Sequence, residues 1–590
     1  MRDDSQQHAD AGAGRAGRVD RRRFLAGGLA IGGAITAGSL GAEAIADAAD
    51  TTVSSRRRRI RAHRRSNQPN ILVIMVDQMR APRWFGGAGP ELTLPPNISA
   101  LATSGVSFAR HYTASNDCSP ARATLLTGLH THQTGCMITG ASTLDPSFPT
   151  YGSMLREQGY STYWYGKWHL TRGDRSWHSF NGSPALERYG FSGGTFPSPN
   201  GAPGQGWRAD PHIARQFEHW YDEAGGDGPW CTTVSFVNPH DIAWWWRWSR
   251  AAASEASAPS SITTLPPNFE TPEQLLAARK PSVQLSLQDT SAVSFGQVPF
   301  TGPGVEAAWL PFLDLYVKLQ LEVDRHVGSV LATLRRRRDI AANTIVVFTS
   351  DHGEYGASHG LRGKGAGMYE EGIHVPLIVS DPTGRLGGVP NSVRHQLTSS
   401  VDVAPMLMTM ATGSSAWRSD SRYTHISTRP DIAGIVGDPG APGRTHALHA
   451  TDEVLTEFAL LPYAAQAPLH VKGLIARNAK YATYSHWKPD TIEPLARGQQ
   501  AELYDYTTRA GYRELDNLAG RSAKEERLHA ALERATREEL EAPLPFTLVR
   551  ARQNGLQEYY RLAAVERTVS AVERLHRVER VVRRIEATLP

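Results

Sequence analysis

Cysteine is scarce in this chain: Cys118, Cys136 and Cys231 are the three among 590 residues, which excludes a fold stapled by disulfides. A single Cys136–Cys231 bridge stays open to an exported protein. No apolar run is long and strong enough to make a good membrane span; the best, from Leu25 to about Leu40, is diluted by Gly and Ala. A large excess of charge is missing as well. The 63 Lys and Arg against 58 Asp and Glu leave +5, and much of that sits in arginine tracts near the start, so no nucleic-acid partner is expected. What remains, 40% hydrophobic and 21% charged, is an ordinary globular composition, long enough for one large domain and smaller parts.

The stretch Cys118-Ser119-Pro120-Ala121-Arg122-Ala123-Thr124-Leu125-Leu126-Thr127-Gly128 carries the most chemistry. Pro120 suits a first helical turn, having a preset φ and no N–H to lose. Cys118 is therefore expected at a helix N-terminus, where free N–H groups favour an anion, with Arg122 one turn on. Three apolar runs read as strands buried on both faces of a parallel sheet. Ile71–Val76 ends in Asp77-Gln78, Trp230–Val237 delivers Asn238-Pro239-His240-Asp241, and Thr344–Ser350 ends in Asp351-His352-Gly353-Glu354. Strand ends of this kind line the ligand crevice of open α/β sheets. Gly159-Tyr160-Ser161-Thr162-Tyr163-Trp164-Tyr165-Gly166-Lys167-Trp168-His169 is a turn and an aromatic strand that points Lys167 and His169 the same way.

Two of these strings resemble the signatures of the formylglycine-dependent sulfatases, which have an alkaline-phosphatase-like fold. C-x-P-x-R-x-x-x-L-T-G and G-Y-x-T-x-x-x-G-K-x-H are filled here at every defined position. The resemblance implies an α/β fold, a mostly parallel sheet flanked by helices, with a smaller C-terminal α+β domain; it covers neither residues 1–68 nor the tail from residue 521, which reads as helical from its own apolar spacing. It implies that a formylglycine-generating enzyme oxidises Cys118, whose hydrated aldehyde attacks sulfur. Asp77, Gln78, Asp351 and His352, with residue 118, would hold one divalent metal, Ca²⁺ first with Mn²⁺ or Mg²⁺ as alternatives. Gln78 stands where the family usually has a second Asp, so the shell carries less charge and more nitrogen than an all-oxygen calcium cage. Arg122, Lys167 and Lys364 would neutralise the sulfuryl group, His240 would protonate the leaving oxygen, and His169 would help release sulfate. The substrate would be a small-molecule or carbohydrate sulfate ester. The metal shell also resembles the choline-sulfatase and phosphonate-monoester-hydrolase branch, so a phosphonate or phosphate diester hydrolase is the alternative. A non-catalytic, exported polyanion-binding protein is a third reading.

The expected organisation follows. Residues 1–48, with Arg21-Arg22-Arg23-Phe24-Leu25 before an apolar run and small-residue cleavage sites, look like a twin-arginine export signal to periplasm, wall or medium. Residues 49–68 form a basic linker, expected to be disordered, and 69–430 the catalytic domain. A C-terminal α+β subdomain spans 431–520 and a helical tail 521–590, whose apolar stripe from residue 569 could pack on the parent domain or mediate oligomerisation. Four Trp between Trp244 and Trp248 are expected to give part of a stacking wall at the site. The Ser/Pro/Thr-rich stretch from about Ser254 to Gly304 reads as a lid with little core of its own, and His374–Val379 as an edge strand broken by Pro376.

Overall fold

The computed structural model describes residues 68–82, 94–171, 184–245, 262–453, 455–456, 461–462 and 467–568. The export signal, the basic linker up to residue 67, Trp246 to Trp248 and the stripe from residue 569 lie outside the described residues. In chain order the strands are β1 (Asn70–Asp77), β2 (Val106–Phe108), β3 (His111–Tyr112), β4 (Ser161–Gly166), β5 (Ser192–Gly193), β6 (Trp230–Pro239), β7 (Thr344–Ser350), β8 (Leu377–Ser380), β9 (Ser392–Arg394), β10 (Thr398–Ser399), β11 (His446–Thr451), β12 (Leu455–Thr456), β13 (Leu461–Pro462), β14 (His470–Ala476), β15 (Ala479–Trp487) and β16 (Pro494–Asp505). Eight of them form one sheet, in the order β5-β4-β6-β1-β7-β8-β2-β9.

The sheet is parallel except at β8, which runs antiparallel to both neighbours, β7 and β2. Pro376 thus does not mark an edge. It stands one residue ahead of β8, where its missing N–H removes no ladder bond, and the strand itself is buried and interior. β1 is buried along its whole length. Ile71, Val73 and Met75 pack on one face with Leu125, Leu126 and Leu407, while Leu72, Ile74 and Val76 pack on the other with Phe217, Val323 and Val327. The helices Cys118–Thr127 and Val403–Thr412 therefore cover one face, and Gln205–Ala224 and Val305–Arg335 the other. Each buried Leu, Ile or Val contributes about 1.5–3 kcal/mol, and three layers of them fix the strand ends that carry the polar residues.

A second, antiparallel sheet has the order β11-β14-β15-β16. One face packs on the helix Glu525–Ala535 through Leu528 and Leu532, and the other on Tyr369 and Met368 of the main domain. The helix Phe546–Thr568 returns to the main domain, burying Leu548, Ala551, Leu556 and Tyr559. It crosses so closely that a Cβ on Gly555 would stand 2.8 Å from the Thr134 carbonyl oxygen. The described part of the tail is thus packed on its parent.

The structure bears on three further readings. The segment 262–304 buries apolar residues against the parent domain: Val283 and Leu287 pack with Tyr369 and Tyr484, and Val298 with Trp309. A few well-spaced apolar residues outweigh its polar composition. Trp245 is no stacking wall but a core residue, 4.9 Å from the Phe312 ring. Cys136 and Cys231 are free thiols, each buried in the same apolar layer.

Candidate active site

The polar residues converge where the sheet runs out. Asp77 ends β1 and Gln78 follows it, Lys167 follows β4, His240 follows β6, and Asp351 and His352 follow β7. The helix Cys118–Thr127 points its first turn at the same place. Asp117 precedes it in extended conformation, Pro120 sits in the first turn, and Gly128 closes it at φ +70. A side chain at Gly128 would also meet Ile426 at 2.8 Å, so glycine is required twice over.

Cys118 is completely buried. Its Sγ lies 2.9 Å from Lys364 Nζ, 3.5 Å from Lys167 Nζ, 3.2 Å from His352 Nε2 and 3.7 Å from Asp77 Oδ1. Arg122, equally buried, donates from Nε to Asp351 Oδ2 at 2.9 Å and from Nη2 to Asp77 Oδ2 at 2.8 Å. Its other nitrogen, Nη1, ties in the Lys167 carbonyl (2.6 Å) and Ser235 Oγ (3.0 Å). Lys167 Nζ adds a second cation to Asp77 Oδ2 at 2.8 Å. Burial alone would raise Asp77, but Lys167 above all, with Arg122 and Lys364, holds its carboxyl well below the usual range. Burial would likewise lower Lys364; the Cys118 sulfur and Asp77 outweigh it and raise the ammonium. Three cations against two carboxylates make a centre suited to an anion.

The same geometry leaves room for a cation. Arg122 and Lys167 occupy the outer oxygens of Asp77 and Asp351. The inner oxygens, with His352 Nε2 and Cys118 Sγ, all lie within 4.8 Å of one another. His352 Nδ1 sits 3.0 Å from the Gly353 carbonyl, which as acceptor fixes the proton there and turns the Nε2 lone pair inward. Gln78 Oε1 faces Lys364 Nζ at 2.8 Å, and its Nε2 donates to Glu354 Oε2 at 2.5 Å. The donor set, two carboxylate oxygens and an imidazole beside an amide oxygen, fits a divalent ion.

His240 and His169 are buried beside this centre, 3% exposed each. Burial first, then Lys167 and Lys364, push His240 well below the ordinary histidine range. His169 has a positive φ of 58, and its carbonyl accepts from Ser119 Oγ at 2.6 Å. Sequence reasoning gave no role to Glu354, although it stood in the quoted Asp351–Glu354 string. Its Oε1 accepts the N–H groups of Gly356 (3.0 Å) and Gly363 (2.7 Å), so it braces the loop that carries Lys364.

A family model described as Sulfatase matches residues 69–414. The chain belongs to the sulfatase family. This sulfatase is a sulfuric ester hydrolase by that membership. It is similar to the choline-sulfatase of Rhizobium meliloti (strain 1021), 27% identical over 379 residues, which are 59% of this chain and 68% of that one. Among solved structures it resembles a 2-O GAG sulfatase, with TM-score 0.57 and 21% identity over 82% of this sulfatase and 96% of its neighbour. The phosphonate monoester hydrolase of Silicibacter pomeroyi superposes with TM-score 0.59 and 20% identity, covering 82% and 97%. These two structures share its fold. Among the described residues no helix is long and apolar enough to cross a membrane.

Proposed function

We propose that this sulfatase hydrolyses sulfate monoesters with residue 118, oxidised from cysteine to formylglycine, as its nucleophile. The observation that carries the reading is the surrounding of Cys118 Sγ: two lysine ammonium groups, an imidazole and a carboxylate within 3.7 Å. An ordinary buried thiol has no use for two cations. The hydrated aldehyde would supply a nucleophilic hydroxyl there.

Asp77, Gln78, Asp351 and His352 would hold the divalent ion, Ca²⁺ first with Mn²⁺ or Mg²⁺ as alternatives. When bound, it supplies polarisation of a sulfuryl oxygen and lowers the pKa of the attacking hydroxyl. Arg122, expected to neutralise the sulfuryl group, instead donates to both carboxylates, which it locks in place while neutralising part of their charge. Lys167 and Lys364 hold the sulfuryl oxygens, where charge builds in the transition state. A sulfate monoester brings one negative charge between these lysines, which counters part of their effect on the buried His240. Binding thereby favours an imidazolium ready to protonate the leaving oxygen. His169 assists departure of sulfate. The substrate class includes choline-like and carbohydrate esters, in line with the names of the relatives. The arginine motif at 21–23 supports export by the twin-arginine route, after maturation by a formylglycine-generating enzyme.

Phosphonate or phosphate diester hydrolysis is the second reading, favoured by Gln78 and His352 in the metal shell and by the phosphonate hydrolase neighbour. Protein co-expressed with a formylglycine-generating enzyme decides between them. Mass spectrometry of the residue-118 peptide is expected to show an aldehyde, with aryl sulfate turned over faster than aryl phosphodiester or aryl phosphonate. An intact thiol in active protein, or turnover that survives Cys118→Ala, overturns the mechanism. Preference for the phosphonate transfers the function to the second reading.

A further inference from the structure

Gly201 presses on the ring of His240. A Cβ on Gly201 would stand 2.6 Å from His240 Cε1, 2.8 Å from its Nδ1 and 3.0 Å from Lys167 Nζ. The backbone there has φ +91, a second requirement for glycine. His240 Nδ1 is buried and finds no hydrogen-bond partner among the described residues. Histidines that work as acids or ligands are ordinarily oriented by a bond at the far nitrogen. Here the orienting group is a backbone wall.

That wall is itself held. Gln205 Oε1 accepts the backbone N–H groups of Asn200 (2.9 Å), Gly201 (2.7 Å) and Ala202 (3.0 Å). Trp244 Nε1 donates to the Gly201 carbonyl at 2.6 Å. Asp241, the neighbour of His240, accepts from the N–H of Gly206 (3.2 Å) and Trp207 (3.0 Å) at the start of the helix Gln205–Ala224. Asp210 in that helix accepts in return from Val237 (2.7 Å) and Asn238 (2.9 Å) at the end of β6. The strand end that bears His240 and the helix start that bears Gln205 are thus tied both ways, and the loop between residues 200 and 204 closes the circuit behind the imidazole.

We propose that Gly201, backed by Gln205 and Trp244, is a positioning device that aims His240 at the leaving oxygen and so sets how well the enzyme handles esters of weakly acidic alcohols. The inference rests on the reading of His240 as the proton donor. As the bridging S–O bond breaks, its electron pair stays on the departing oxygen, and the proton passes from His240 Nε2 to that oxygen. An acidic phenol departs without the proton; an alcohol or a weakly acidic phenol needs it. General acid catalysis is worth about 10²–10⁴-fold, and a displacement near 1 Å forfeits roughly 10²-fold. Gly201→Ala and Trp244→Phe are therefore expected to lower kcat on phenyl and 4-methoxyphenyl sulfate by roughly 10- to 100-fold, and on 4-nitrophenyl sulfate by less than about threefold.

The test is the slope of log(kcat/KM) against leaving-group pKa for matured wild type, Gly201→Ala, Trp244→Phe, Gln205→Ala, Gln205→Glu and His240→Ala, each checked for an unchanged melting temperature. Steeper slopes in the first three variants, with Gln205→Glu near wild type because its carboxylate still accepts the three N–H groups, support the proposal. Slopes equal to wild type, or a uniform loss across the series, overturn it. His240→Ala separates the two levels. If it leaves the slope unchanged, the reading of His240 fails. If it steepens the slope while Gly201→Ala does not, only the positioning role fails.

Discussion

Arg122→Met keeps most of the volume of the side chain and removes its charge from a completely buried place. The consequence falls unequally on the two acids it serves. Asp77 keeps Lys167 Nζ at 2.8 Å. Asp351 is left, among the described residues, with the backbone N–H of Gln78 at 3.2 Å and of His352 at 2.9 Å. An anion buried without a cation is the expensive case: removing one partner of such a pair costs about 3–5 kcal/mol. Lys167→Met, by contrast, leaves Asp77 with Arg122 and is expected to destabilise less. Urea unfolding in the presence of a chelator measures the difference. With Ca²⁺ or Mn²⁺ at saturation the deficit of Arg122→Met is expected to shrink, because a dication then meets carboxylates freed of the guanidinium. Turnover of an aryl sulfate should fall by at least about 100-fold. A deficit below roughly 1 kcal/mol in chelator, or one that the ion enlarges, refutes the assignment of Arg122 as the buried counter-charge.

Asp452 is buried between His132 Nε2 at 2.8 Å and His470 Nδ1 at 3.1 Å, and despite burial these hold its carboxyl down to about 2. A depressed carboxyl stabilises the fold above its unfolded pKa near 4, and the gain fades as pH falls toward 2. Asp452→Asn is therefore expected to cost about 2 kcal/mol at pH 7 and roughly half that at pH 3, read by urea unfolding; an equal cost at both would contradict the pairing. Gly166→Ala would place a Cβ 1.8 Å from the Ser235 carbonyl oxygen, between β4 and β6. The protein should then collect in the insoluble fraction, and a soluble product with wild-type melting would argue against this strand register. Burial raises the Cys231 thiol and pushes that of Cys136 up to about 12. Native protein should ignore Ellman's reagent, and matured protein in guanidinium should titrate Cys136 and Cys231 but nothing at 118. A third reactive thiol would mean that residue 118 had not been converted.

What the sequence made legible was whatever is contiguous. The runs ending at Asp77, His240 and Asp351 are strands because uninterrupted apolar stretches have nowhere to go but the middle of a covered sheet. Cys118 opens a helix because Pro120 and Gly128 bracket one. Contacts made across the chain were not legible. The interior place of β8 depends on which strands flank it, and Pro376 says nothing of that. Trp245 faces Phe312 because of a helix more than sixty residues away, which nothing in the Trp cluster itself could show. Gly201 and Gln205 belong to no motif, and no reading of the sequence singled them out.

The depth at which Cys118 sits has a bearing on how the protein is born. With no part of that side chain open to solvent and dense packing around it, another protein has no grip on it once the chain has closed. On the proposed chemistry, tailoring must come during synthesis and closure afterwards, and a batch folded in a host without the tailoring step stays inert however long it is left with the missing catalyst.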